Sequence, residues 1–245
     1  MKGEFEDRVC IFQIALKGSR VVPLIVYIQR VKVKKSREDL SVRIVAISIG
    51  KVAPMNKASF SNTKPLYSGI EKRSISSPED IKSVFVGELG LQGDEHYERS
   101  FHGGVDQALY AYPTEHYDFW QQLILNQKKI KPAFSYGFFG ENLSIKGFCE
   151  SQVFVGDRWL IGDVELEVTK LREPCFKLNI KLNYSQASKA MIQSAKSGWY
   201  LKVLRSGFIQ SGDWVEVNKG SGDISIQEQN RLLYQKNNPT QDLFE

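Results

Sequence analysis

Cysteine is scarce in this chain: three in 245 residues, with no Cys-x-x-Cys pair among them. An odd, dispersed set excludes a disulfide framework and a cysteine-rich zinc site, and it points to a reducing compartment. Histidine is as scarce, and no two of His96, His102 and His116 stand in the i, i+4 register of a helical zinc pair, which argues against a histidine-built metal centre. Long apolar runs are missing too. "VCIFQIAL" and "VVPLIVYI" are split by "KGSR", and neither reaches the ~20 residues of a membrane helix. The acids of "MKGEFED" stand where a secretory signal carries its basic segment. There is no dense Lys/Arg block; the formal net charge is +5 with both signs mixed along the chain. That balance suits a small anion at least as well as a nucleic acid. No flavin or nicotinamide fingerprint occurs. The expectation is a cytoplasmic protein that binds neither membrane nor nucleic acid.

What is present is enough for a sizeable core, since 42% of the residues are hydrophobic and 11% aromatic. Residues 1–40 stand apart as an extension whose apolar runs read as a β-hairpin turning at Gly18, or as a poorly ordered segment, before the basic linker "KVKKSRED". From Val42 the chain is strand-rich. Gly156-Asp157, Gly162-Asp163 and Gly212-Asp213 punctuate short strands, the mark of an antiparallel sheet closing into a barrel. Three helices interrupt it. One follows Thr114 as N-cap and puts Tyr117, Trp120, Leu123, Ile124 and Gln127 on one stripe. One runs from Ser185 to a terminal Gly198. The last opens with Ser225 and Glu228 in capping-box register. The fold class is therefore mainly β, a β-barrel domain over residues 41–220 with a few peripheral α-helices and a short helical remnant over 221–245.

Several residue types in this frame can do chemistry. Cys175 in "KLREPCFKLN" follows a long strand, Pro174 biases Glu173 toward extended backbone, and Arg172 and Lys177 flank the thiol. Cations beside a thiol favour the thiolate, both nucleophile and soft metal ligand. A free cysteine is otherwise a small buried hydrophobe, and the residues alone leave both readings open; Cys10 and Cys149 keep the second. In "FHGGVDQALYAYP", Gly103 and Gly104 free the backbone for conformations that let main-chain N–H groups wrap an anion, with His102 as donor. Asp106 there serves equally to anchor a plain turn. Asp94 in "LGLQGDEH" and Gly140-Glu141-Asn142 in "FFGENLSIKG" complete the set.

Taken in order, "LGLQGDE…FHGGVDQALYAYPTEHYDFW", "FGENLS", "VFVGD", "REPCFKLN" and "GWYLKVL" resemble the MOSC-domain family, in its YiiM-like branch. The resemblance runs from about Ser41 to about Gln235 and includes one C-terminal helix; residues 1–40 have no counterpart in it. It implies a β-barrel that binds the molybdenum cofactor (molybdopterin) and, at the family level, pyridoxal phosphate. Cys175 matches the cysteine taken to ligate molybdenum. Lys72, Arg172 and Lys177 occupy family-like positions for neutralising the cofactor phosphate, with Asp94, His102, Gly103, Gly104, Gly140 and Asn142 as further cofactor-binding candidates. The implied activity is reduction of N-hydroxylated compounds, such as 6-hydroxylaminopurine, to amines, with His102, Asp106 and Glu141 as candidates for proton handling beside Cys175. Electrons would come from a separate flavin-containing reductase. The alternative is a non-catalytic cofactor or sulfur carrier.

Overall fold

A computed structural model describes residues 5–13, 26–34, 42–55, 66–97 and 103–237 of the chain. It divides into two compact units, residues 1–40 and 41–245. In the first, β1 (Phe5–Gln13) and β2 (Val26–Lys34) pair antiparallel, Phe5 opposite Lys34 and Gln13 opposite Val26. The turn that would hold Gly18 lies outside the described residues; of the linker "KVKKSRED", residues 32–34 belong to β2 and the rest lies outside them.

In the second unit, strands β3 (Val42–Gly50), β4 (Ala53–Pro54), β5 (Tyr67–Ser68), β6 (Lys72–Ser76), β7 (Val84–Gly87) and β8 (Gly90–Leu91) precede β9 (Leu109–Pro113). Helix α1 (His116–Lys128) leads to β10 (Leu143–Lys146), β11 (Arg158–Ile161) and β12 (Val164–Leu171). Short helices α2 (Phe176–Lys181) and α3 (Ala187–Gln193) then lead to β13 (Trp199–Arg205), β14 (Gly207–Ile209), β15 (Trp214–Asn218) and α4 (Ile226–Asn237). Seven strands close into a barrel in the order β10-β9-β13-β12-β11-β15-β3, because β3 also pairs with β10. The β9–β10 pair is parallel and the other barrel pairs are antiparallel.

The Gly162-Asp163 turn joins β11 to β12 as a two-residue hairpin, with Gly162 at φ 57°, where a side chain is disfavoured. Strand β3 alternates as its sequence demands only as far as Ala46. Its register with β10 skips Val45, so Ala46, Ile47 and Ser48 are all buried. This bulge carries Ile47 into the barrel core opposite Leu143 and leaves Ser48 buried on the other face, beside Gly137 and Lys72 near the site described below. The barrel interior is apolar, and Trp159 and Trp199 meet edge to face in it at 5.7 Å. A second core lies between α1, α2 and α3 and the outer faces of Tyr110 and Tyr112.

Three local expectations need correcting. Thr114 does not cap α1 through its side chain; the Thr114 hydroxyl donates to the carbonyl of Ile145 at 3.1 Å, and Glu115 holds the cap position. Gly198 does not end α3, whose left-handed exit is taken by Ala195 at φ 51°; Gly198 sits instead at the entry to β13, where a Cβ would strike the Ala111 carbonyl at 2.3 Å. The helix that follows "REPC", α2, begins at Phe176 with Cys175 as its N-cap. The Ser225 hydroxyl accepts from the Glu228 amide at 3.1 Å, while the Glu228 carboxylate pairs with Arg231 rather than reaching back.

Candidate active-site cleft

The end of β12 delivers Arg172, and the three residues after it turn into α2, whose N-cap is Cys175 in extended conformation (φ −114°, ψ 169°). One further residue pair into the helix stands Lys177. This local path puts all three side chains on the wall of one cleft. Lys72 of β6, Gly140 and Asn142 from the segment before β10, and Gly103 from the glycine loop line it as well. Cys175 is half-buried, with the sulfur at an open cavity rather than in the apolar core.

The cations on this wall are buried, Arg172 at 7% exposure and Lys177 at 6%. Among the described residues neither has a carboxylate within salt-bridge range. Arg172 stacks over the Tyr110 ring at 5.4 Å and reaches Met191 Sδ at 3.9 Å, and Lys177 lies over the Tyr97 ring at 5.6 Å. Burial pushes the phenols of Tyr110 and Tyr200 well up, so neither is a counter-anion at neutral pH. Burial acts to lower the Arg172 pKa, but its phenol neighbours and Cys175 hold it above the ordinary value. A cation desolvated without an anion is costly. The wall is therefore arranged to receive one.

The rest of the lining is self-sufficient. Both carboxylate oxygens of Asp94 accept from Lys72 Nζ at 2.6 Å. Asp94 also accepts from the Gly50 amide at 2.7 Å and Asn142 Nδ2 at 2.8 Å, with His96 Nε2 at 3.3 Å. Burial lowers the Lys72 pKa, and the charge and hydrogen bonds of Asp94 oppose that. Asn142 is a pin: its Oδ1 accepts from the Tyr110 amide at 3.1 Å, and its Nδ2 also donates to the Ser48 carbonyl at 3.3 Å. Gly140 adopts φ 88°, and a Cβ there would meet Ile70 Cγ1 at 2.9 Å. Gly103 and Gly104 have φ 150° and 90°, and a Cβ on Gly103 would press on the His96 ring at 3.3 Å.

Other anticipated residues lie elsewhere. Asp94 stands behind the lining as its anchor, and Gly104 borders a neighbouring cleft. Asp106 is exposed on a short 3-10 turn; its carbonyl, not its carboxylate, accepts from Thr169 Oγ1 at 2.7 Å. Glu141 is fully buried away from the lining and takes hydrogen bonds from the Tyr117 hydroxyl, the Gly137 amide at 2.9 Å and Ser144 Oγ at 3.0 Å. Burial pushes the Glu141 pKa up against these donors. His102 lies outside the described residues, and Cys10 lies in β1 opposite Gln29, in the other unit. Sequence reasoning missed His96, Tyr97, Gln107, Tyr110 and Tyr200, all on the lining. Tyr110 was legible in principle, since strand parity fixes the face on which each residue of "ALYAY" stands.

With this geometry in place, the similarities to known proteins are specific. A MOSC domain model matches residues 98–216. YiiM of Escherichia coli is 38% identical over 147 residues, 59% of this chain and 63% of that protein. YflK of Bacillus subtilis is 31% identical over 172 residues, 70% of this chain and 73% of that one. A protein named reductase from Gibberella moniliformis is 36% identical over 136 residues, 55% of this chain but 23% of its own length. The crystal structure of YiiM from Geobacillus stearothermophilus superposes with a TM-score of 0.60 at 29% identity, covering 80% of this chain and 86% of that one. The matched stretch thus spans under two thirds of E. coli YiiM.

Proposed function

Because the chain belongs to the MOSC-domain family, we propose that its cleft holds the molybdenum cofactor and serves the reduction of N-hydroxylated compounds to amines. One observation supports this above the rest: Cys175 and two buried cations without carboxylate partners among the described residues share one lining. A dithiolene-bound metal asks for a soft ligand and its phosphate for positive charge, and the residues present fit both. A relative named reductase is in keeping with a redox role.

In this reading the Cys175 sulfur is the metal's protein ligand. Arg172 would hold the phosphate by its planar fork and Lys177 as a point charge. Gly140 and Gly103 would keep the lining free of side chains, and the ring of Tyr97 would offer a face to the pterin. The bound cofactor supplies the two-electron chemistry by which N–OH becomes amine and water. The chain supplies protons. Candidates on that count are His96, whose Nε2 is held against Asp94, and His102; Glu141 is walled off from the lining and Asp106 faces solvent. In this reading electrons come from a separate flavin-containing reductase, and the dispersed cysteines are in keeping with a reducing, cytoplasmic setting.

The test uses the purified full chain reconstituted with cofactor and given a chemical reductant. Conversion of 6-hydroxylaminopurine to adenine is followed for wild type and Cys175→Ala. Turnover that disappears in the variant is the expected result. Stoichiometric cofactor binding without turnover would make the protein a carrier instead, and a chain that retains no molybdenum would contradict both.

A further inference from the structure

Away from the cleft, the first turn of α1 and the turn after β10 bring three metal-competent side chains together. His116 Nε2 lies 2.8 Å from Glu150 Oε2 and 3.0 Å from Oε1, and both residues are buried. The carboxylate is held from behind, because the Gly198 amide donates to Oε1 at 2.8 Å. The Glu150 carbonyl accepts from the Gln227 amide at 3.1 Å at the start of α4. Cys149 is adjacent and half-buried, and a ring nitrogen, the sulfur and a carboxylate oxygen lie within 4.8 Å of one another. His116 Nδ1 is buried with no hydrogen-bond partner. An unsatisfied buried polar atom costs about 1–3 kcal/mol, so a histidine–glutamate bond alone leaves this ring unaccounted for.

We propose that His116, Cys149 and Glu150 form a binding site for a zinc-like divalent cation, separate from the cleft. The donor set of nitrogen, sulfur and oxygen is one that zinc takes, whereas magnesium and calcium ask for oxygen alone. Tetrahedral zinc with bonds of about 2.0–2.3 Å spaces its ligands roughly 3.3–3.8 Å apart. The sulfur must therefore close by about an ångström, which a rotamer change of half-exposed Cys149 supplies, while the His116–Glu150 pair, now at 2.8–3.0 Å, opens by about half an ångström to admit the ion. The thiol proton passes to solvent on binding, and water takes the fourth position. Thiolate and carboxylate neutralise the ion, while the charges that bear on Cys149 from further off, Glu115 and Lys196, are of opposite sign. The ion staples α1 to the turn that carries Glu150, and through Gly198 and Gln227 to β13 and α4.

The experiment takes the full chain, stripped with a chelator, and titrates it with Co2+ and then Zn2+. One equivalent of Co2+ is expected to give a near-ultraviolet thiolate-to-metal band that persists in Cys175→Ser, vanishes in Cys149→Ser and is bleached by Zn2+. His116→Gln, if it folds, should weaken binding more than tenfold; Cys149→Ser carries the test if it does not. Absence of stoichiometric binding, or a band that follows Cys175 instead of Cys149, overturns the site.

Discussion

The two walls of the cleft treat buried charge in opposite ways. Around Asp94, a lysine, an asparagine, a backbone amide and a histidine converge until the carboxylate is saturated. Elsewhere on the lining, Arg172 and Lys177 meet aromatic faces and sulfur, with no carboxylate among the described residues. A saturated network holds the fold together. Unspent charge is a capacity to bind, kept at the expense of the empty protein's stability. The same residue types thus carry different meanings on one lining.

Variants can break this contrast. The largest effect is expected at the sulfur: Cys175→Ala should lower turnover of the reconstituted protein by about a hundredfold or more, since the loss of even an outer-shell partner costs up to that much. Next, Lys72→Met should destabilise the cofactor-free chain by about 3–5 kcal/mol, because it strands buried Asp94. Lys177→Met should leave the cofactor-free chain unchanged or raise its stability by up to about 1 kcal/mol. The same variant should weaken cofactor binding about tenfold or more, the worth of a charge-assisted contact. Urea unfolding and cofactor titration measure the two sides. A Lys177 variant as unstable as the Lys72 variant would erase the distinction between the walls.

A smaller effect sharpens the fold-holding role of Glu141. Its folded-state pKa is raised by burial, so its contribution to stability is full below the ordinary carboxylate pKa and is lost as pH rises through the folded value. Wild-type unfolding should become easier across that window, and Glu141→Gln should remove that slope, as read from denaturation at a series of pH values. Smallest is a kinetic difference between thiols. Burial, with Glu150 and Glu115 nearby, pushes Cys149 up to about 11. Alkylation of the chelator-stripped chain at pH 8, mapped by peptide mass, should therefore modify Cys149 at roughly a hundredth of the rate of an unperturbed thiol.

Much of this was legible in the chain because it is local. Gly162-Asp163 fixes a two-residue hairpin by its own backbone preferences, and Arg172, Cys175 and Lys177 stay together because one strand end and one helix start position all three. The Asp94 network was not legible as a network. Its partners come from β3, β6 and the segment before β10, brought together by a bulge at Val45 that no periodicity announces. Glu141 misled for the same reason: it neighbours Asn142 in sequence but faces Tyr117 and Ser144, since alternate residues at a strand entry point to opposite sides. His116 offered no metal spacing in sequence, its counterparts lying more than thirty residues on.

The most direct measurement of the central claim is the molybdenum content of the chain purified from a molybdenum-replete host, wild type beside Cys175→Ala. Near-stoichiometric metal in the first and its loss in the second are predicted. A wild-type chain that carries no molybdenum even after reconstitution, or a variant that carries as much as wild type, would contradict the assignment of this cleft.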